Sequence, residues 1–310
     1  MVKDVVIDTD PGCDDALALV FALEHPELHV VGITSVFGNS TTPSTTHNAR
    51  SILELFGRTD VPVAAGAVEP LLVDLDTAEH IHGPGGIRGD LPDPTPATEP
   101  VDDHAAAFIG QKAREYDDLT LVALGRLTNV ALALALEPAL PDLLAETVIM
   151  GGSAYLPGNT TPLAGANFHG DPHAARRAVR DTDPTIVPVD ATQYSTLPAA
   201  WIESVPRESP RGDAVYEWAT YYSEDDLDRY GIETAAIHDA LAVASLVDPA
   251  VIDTERHYVE VGADAGLGQG ALVVDGQRTT GNEPNASVAL DADPERYRDL
   301  LTSVLDAAIE

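Results

Sequence analysis

The chain is short of positive charge, of cysteine and of long apolar runs, and each shortage excludes something. Lys and Arg together number 17 against 51 Asp and Glu, for a formal net charge of −34, and Lys3 and Lys112 are its lysines. Nucleic acid and anionic membrane are both gripped through a basic face, so neither is a partner here. Cys13 is the single cysteine. No intrachain disulfide can form, and its place in an apolar helical turn makes it a small hydrophobe rather than a redox centre. The most apolar later stretch, 119–136, is broken by Gly125, Arg126 and Asn129, and Met1 leads into a strand rather than a basic and then apolar leader. A soluble, cytoplasmic protein with no membrane span or signal peptide is expected. The N-x-[ST] triplets at Asn39, Asn159 and Asn285 are then chance matches.

Acidity alone can mean disorder, but 44% of this chain is apolar and the apolar residues are periodic. The charge reads as a solvated surface suited to high salt, where screening removes self-repulsion, and a halophilic source is expected. A chain of 310 residues buries roughly three quarters of its unfolded surface. Length suggests about two domains, but no internal repeat or composition break divides it, so a single domain over 1–310 is expected.

The segment 5–19, VVIDTDPGCDDALAL, organises the rest. An apolar strand runs into the Pro11-Gly12 turn, and an apolar helix follows. Asp8, Asp10, Asp14 and Asp15 fall at this junction. Strand end followed by helix N-terminus is where open α/β sheets bind ligands. One Asp in a first helical turn is a cap. Four carboxylates at one point repel unless a cation lies among them, and hard oxygen donors select Ca²⁺ or Mg²⁺ over Zn²⁺.

In chain order, the periodicity predicts a helix over 16–23, a strand over 29–35, a helix over 43–56 and a strand over 61–64. This alternation indicates a mostly parallel central sheet flanked by helices, an α/β architecture with a Rossmann-like core. Residues 66–102 break the pattern with His80, His82, a glycine cluster and a run of prolines. A loop so long is either functional or a surface linker. Then come a helix over 103–116, a strand over 119–124, a helix over 130–136 and a strand over 147–150. A polar loop over 153–169 carries Asn159 and Asn167, and Asp171-Pro172 caps a helix over 173–179. Further on are a strand over 185–189, helical pieces over 197–228 and a buried helix, bounded at 235–247, that opens with His238-Asp239. Strands near 257–262, 271–275 and 286–290 and a helix over 294–309 complete the chain. Aromatic residues over 216–230 either stack on a ligand or pack a helix.

Read together, the motifs resemble the inosine–uridine-preferring nucleoside hydrolase family. D-x-D-P-G-x-D-D-x-x-A stands as residues 8–18, G-N as Gly38-Asn39, G-x-L-T-N as residues 125–129 and M-G-G as residues 150–152. H-D is His238-Asp239, and P-N-A-x-V-A-L-D runs from Pro284 to Asp291. The resemblance implies a Ca²⁺-dependent hydrolase that cleaves the N-glycosidic bond of a small-molecule ribonucleoside to ribose and free base. It implies Ca²⁺ held by Asp10, Asp15, Asp239 and the backbone carbonyl of Thr128, with Asp8 supporting from behind. Asp10 becomes the general base, Asp14 grips the 2′-hydroxyl, and Asn39, Asn159 and Asn167 hold the sugar. His238 lies beside the base with His82 across the pocket, and His80 is left as surface. A homodimer or homotetramer is implied as well. The chemistry is consistent: carboxylates stabilise an oxocarbenium-like sugar, a metal lowers the pKa of water, and His assists a poor leaving group.

The sugar loop departs from the family pattern. Where the family reads N-x-T-P-x-A-E-F-N, this chain has Gly165 and Ala166 in place of Glu and Phe. Losing a charged hydrogen bond to the sugar costs roughly 1.5–3 kcal/mol of binding. The vacated space implies either a 5′-modified nucleoside or filling by His169 or an Arg. Two rivals stand beside the hydrolase. A haloacid-dehalogenase-type phosphatase needs Thr or Val where Gly12 stands and a downstream lysine, for which only Lys112 is available. A catalytically altered protein that merely binds nucleoside and metal is the other.

Overall fold

The computed structural model describes residues 2–193, 195–230 and 234–310, with 222–230, 234 and 235 described by backbone alone. Its strands are β1 (Lys3–Thr9), β2 (Leu28–Ser35), β3 (Val63–Ala65), β4 (Leu119–Ala123), β5 (Leu144–Met150), β6 (Thr185–Val187), β7 (Thr196–Pro198), β8 (Thr234–Ala236), β9 (Ile252–His257), β10 (Val259–Val261), β11 (Leu272–Val274) and β12 (Ala286–Ala292). Among the described residues, eight of them form one sheet in the order β3-β2-β1-β4-β5-β6-β12-β9. Every neighbouring pair is parallel except β12 and β9. The expected mostly parallel sheet with flanking helices is therefore present.

Period-2 alternation sends successive side chains to opposite faces, and both faces are buried, as a parallel sheet requires. Val5, Ile7, Val122, Val148 and Met150 join the core that includes the helices Cys13–Glu24, His238–Val247 and Pro294–Ile309. Val6, Leu121, Ala123 and Ile149 join the opposite core, under the helices Ala105–Glu115, Thr128–Leu136 and Pro172–Thr182. The helix Cys13–Glu24 is buried on all sides from Cys13 to Leu23, because it lies between the sheet and an outer layer of helices. That explains why its sequence is apolar all round.

Three expectations need correction. The helix predicted over 235–247 begins at His238, because Thr234–Ala236 pairs antiparallel with Thr196–Pro198. The same pairing removes the start of the helical stretch predicted from 197, whose helices are Ala199–Ser204 and Pro210–Tyr230. The strand read near 257–262 is Val259–Val261, preceded by the separate edge strand Ile252–His257. Residues 66–102, which the sequence leaves open as a functional loop or a surface linker, are ordered against the fold. They hold a short helix, Glu79–His82, and are pinned just before that helix and near the C-terminal end of the segment. Ala78 N–H donates to Gly38 O at 2.8 Å, and Arg50 Nε donates to Thr98 O at 2.8 Å.

Candidate active site

Strand order reverses direction between β1 and β4, and the crevice outside the carboxyl ends of such strands is the place for a ligand. Asp10 leaves β1 there, residues 125–129 leave β4, and the N-terminus of the helix Cys13–Glu24 supplies Asp14 and Asp15. The helix His238–Val247 packs along Cys13–Glu24, so Asp239 in its first turn meets them. Tyr297 fixes that helix start by donating to Ile237 O at 2.9 Å. A cavity of about 850 Å³ opens at this point.

Asp10, Asp14, Asp15 and Asp239 all line the cavity, and each is under a tenth exposed. Oxygens of Asp14, Asp15 and Asp239 lie within 4.8 Å of one another. Asp15 accepts from Gly12 N–H at 3.1 Å, Asn39 Nδ2 at 2.9 Å and the Thr9 hydroxyl, so it caps the helix while facing the cavity. Asp10 accepts from Asn39 N–H at 2.8 Å. Glycine is needed beside it: a Cβ on Gly38 would stand 1.9 Å from Asp10 Oδ2, and one on Gly125 2.5 Å from Oδ1.

Burial and mutual repulsion raise these carboxyl groups. Burial pushes Asp15 to about 6, with the Asp14 charge adding to it and the Thr9 and Gly12 bonds opposing. Asp10 is raised well above the carboxylate range by burial and then by Asp15, with Arg126 and Asn39 N–H opposing. Asp239 is raised by burial and then by Asp14, Asp15 and Asp10. Asp8 lies off the cavity, fully buried, and accepts from Thr34 Oγ1 at 2.6 Å and Asn129 Nδ2 at 2.7 Å. Its carboxyl is raised to about 7 by burial, and its Oδ2 has no hydrogen-bond partner among the described residues. An all-oxygen nest of buried acids that resist ionisation fits a hard divalent cation, whose charge removes the repulsion.

The remaining sequence-derived residues divide. His82 and His238 both line the cavity, and exposed His80 joins them at its rim. His238 is held through Nδ1 by Thr192 Oγ1 at 2.6 Å. His82 lies 5.8 Å, ring to ring, from Tyr221, whose hydroxyl donates to Ile81 O. Asn39, Asn159 and Asn167 also line the cavity. Asn39, however, is bonded to Asp10 and Asp15, and Asn159 Oδ1 accepts from Ala166 N–H at 2.9 Å. Asn167 donates to Leu124 O and Met150 O and accepts from Arg126 Nη1 at 2.6 Å. Thr128 is buried and does not line the cavity; its hydroxyl donates to Asp171 Oδ2 at 2.7 Å. Tyr216, Trp218 and Tyr221 pack and do not line it, whereas the side chains of Tyr222 and Tyr230 lie outside the described residues.

Sequence reasoning missed Arg126 and Thr192. Arg126 is 5% exposed, lines the cavity, and places Nη1 3.7 Å from Asp10 Oδ2. Gly170 makes room for it, since a Cβ there would lie 2.5 Å from Arg126 Nε. His169 also lines the cavity, and Arg126 donates to Asn167 on the sugar loop. Gly165 leaves little slack, because an added Cβ would meet Gly152 O at 3.0 Å.

Comparison with known proteins agrees with this geometry. A family model described as inosine-uridine preferring nucleoside hydrolase matches residues 5–299. The pyrimidine-specific ribonucleoside hydrolase RihA of Salmonella typhimurium is 39% identical over 98% of this chain and 99% of its own. Among solved structures, a plant nucleoside hydrolase superposes with a TM-score of 0.91 at 33% identity, covering 99% of this chain and 100% of that one. The purine-preferring ribonucleoside hydrolase of Gardnerella vaginalis superposes at 0.93 with 28% identity, covering 99% of each chain.

Proposed function

The chain belongs to the inosine-uridine preferring nucleoside hydrolase family and is a hydrolase of N-glycosidic bonds; on that footing we propose that it is a Ca²⁺-dependent hydrolase of plain ribonucleosides, with pyrimidine bases preferred. One observation carries the reading: the buried acids line the same cavity as His82 and His238. Pyrimidine preference is supported by the higher identity to the pyrimidine-specific relative than to the purine-preferring one. A plain nucleoside is preferred over a 5′-modified one, because His169 lines the cavity and Arg126 engages the sugar loop beside Gly165 and Ala166.

Asp10, Asp15 and Asp239, which line the cavity, would hold the cation, and the resemblance adds the Thr128 carbonyl. When bound, the cation supplies a lowered pKa for the attacking water and a grip on the sugar hydroxyls. Asp10 takes the proton of that water. Asp14 accepts from the 2′-hydroxyl, and Asn159 and Asn167 contact the sugar. As the C–N bond breaks, positive charge grows on the ribose, and the surrounding carboxylates stabilise it. His238, with His82 opposite, hydrogen-bonds the departing base. The family resemblance also supports a homodimer or homotetramer and a cytoplasmic location.

The test is a reducing-sugar assay in molar KCl with Ca²⁺, using uridine, cytidine, inosine, adenosine and guanosine. Ribose release is expected to be fastest from uridine and cytidine and to fall about 10³-fold or more in Asp10→Ala. Folded, cation-binding protein that releases ribose from none of the five would sink the reading.

A further inference from the structure

We propose that Thr192 is a positioning residue that fixes the tautomer of His238, with Nδ1 accepting and the proton on Nε2, so that the ring offers a hydrogen-bond donor to the departing base. This inference rests on the placement of His238 beside the base given above. Thr192 is fully buried at the end of the short helix Val189–Thr192, which follows β6. A buried hydroxyl needs an acceptor for its proton. Helical threonines commonly use the carbonyl four residues back. Here the Pro188 carbonyl accepts backbone N–H groups from Ala191 at 3.0 Å and Thr192 at 3.2 Å. Among the described residues, Thr192 Oγ1 makes one side-chain hydrogen bond, to His238 Nδ1 at 2.6 Å. The hydroxyl proton therefore points at Nδ1 and makes it an acceptor. A neutral imidazole whose Nδ1 accepts carries its hydrogen on Nε2.

The consequence for the reaction is specific. The C–N bond breaks with its electron pair passing to the base, which leaves as an anion with charge on its carbonyl oxygen. The Nε2–H donates a hydrogen bond to that charge. Water bonds to the anomeric carbon, its proton goes to Asp10, and the released base is protonated by solvent. Thr192 thus matters for poor leaving groups. It does not matter for one that departs unaided.

The experiment pairs kinetics with spectroscopy on the whole protein in molar KCl with Ca²⁺. Thr192→Val is expected to lower kcat on uridine about 10²-fold. KM should move no more than about threefold, since the donor acts mainly in the transition state. On 4-nitrophenyl riboside, whose leaving group needs no donor, the loss stays within about threefold, and Thr192→Ser keeps the wild-type rates. In ¹⁵N-histidine-labelled wild type, with His238→Gln giving the assignment, Nε2 should appear protonated and Nδ1 unprotonated. Equal losses on both substrates, or a protonated Nδ1 in a neutral His238, would overturn the proposal. If the wild type hydrolyses no nucleoside, the hydrolase reading fails; the nitrogen spectrum still decides the tautomer, including where Thr192→Val does not fold.

Discussion

Asp8 and Asp15 stand close in sequence and differ in what surrounds them, yet burial raises both. Without a cation, each prefers to be protonated in the fold: Asp15 up to about 6 and Asp8 up to about 7, against an ordinary value of 3.8. The sign follows directly. Between about pH 4 and 7 the folded protein holds more protons than the unfolded chain, so stability falls as pH rises through that window. It is fully present below the unfolded value and lost above the folded ones. Asp10 and Asp239 are raised as well and pull the same way. A bound divalent cation neutralises the nest and removes the slope. In molar KCl with chelator, Tm should therefore drop from about pH 5 to pH 8, while Ca²⁺ restores it most at the alkaline end. Scanning calorimetry at several pH values checks this, and a Tm that rises through the window in chelator, or ignores Ca²⁺ at pH 8, counts against it.

Elements meet at Asp171, the N-cap of the helix Pro172–Thr182. Its carboxylate accepts from Ala174 N–H at 3.0 Å, Thr128 Oγ1 at 2.7 Å and Leu71 N–H at 2.9 Å. One side chain thus joins its own helix, the turn after β4 and the start of the 66–102 segment. Replacing it by Ala orphans buried donors and removes a cap, an expected loss of about 2–4 kcal/mol of stability. KM should rise with it, because the segment carrying His82 loses an anchor; a denaturation midpoint within error of wild type would refute this role. The cap was legible in Asp171-Pro172, but the cross-links were not, because Leu71 and Thr128 come near it only through the fold. The same distinction holds elsewhere. Strand, turn and helix at residues 5–19 are local and were readable, as were the acids they gather. The Thr234–Ala236 pairing with Thr196–Pro198 joins segments far apart in sequence, and the apolar Ala235–Ile237 reads as a continuation of the helix behind it. Arg126 looked like an interruption of an apolar run, since nothing local reveals that Gly170 and Asn167 make a place for it. Thr192 carried no signal at all, because a threonine acquires its meaning here from a histidine 46 positions away.

Across the whole molecule, 51 acidic residues face 17 basic ones, an excess of 34. Many of the arginines already sit in surface ion pairs, among them Arg50–Glu99, Arg176–Glu260 and Arg256–Asp183. The excess carboxylates therefore lack cationic partners within the chain and repel across the surface. Screening alone relieves this: the Debye length shrinks from about 10 Å at 0.1 M salt to about 3 Å at 1 M. The expected outcome is a Tm that climbs between 0.1 M and 2 M KCl, most of the gain coming by about 1 M, with NaCl equivalent. The effect differs from that of the cation nest in both position and dose. Buried Asp15 and Asp239 are out of reach of bulk screening, so Ca²⁺ at millimolar concentration should add its stabilisation on top of saturating KCl. If KCl leaves Tm unchanged, the surface charge is not a salt adaptation. If Ca²⁺ adds nothing once KCl saturates, both ions are acting on the surface and the nest is not a high-affinity site.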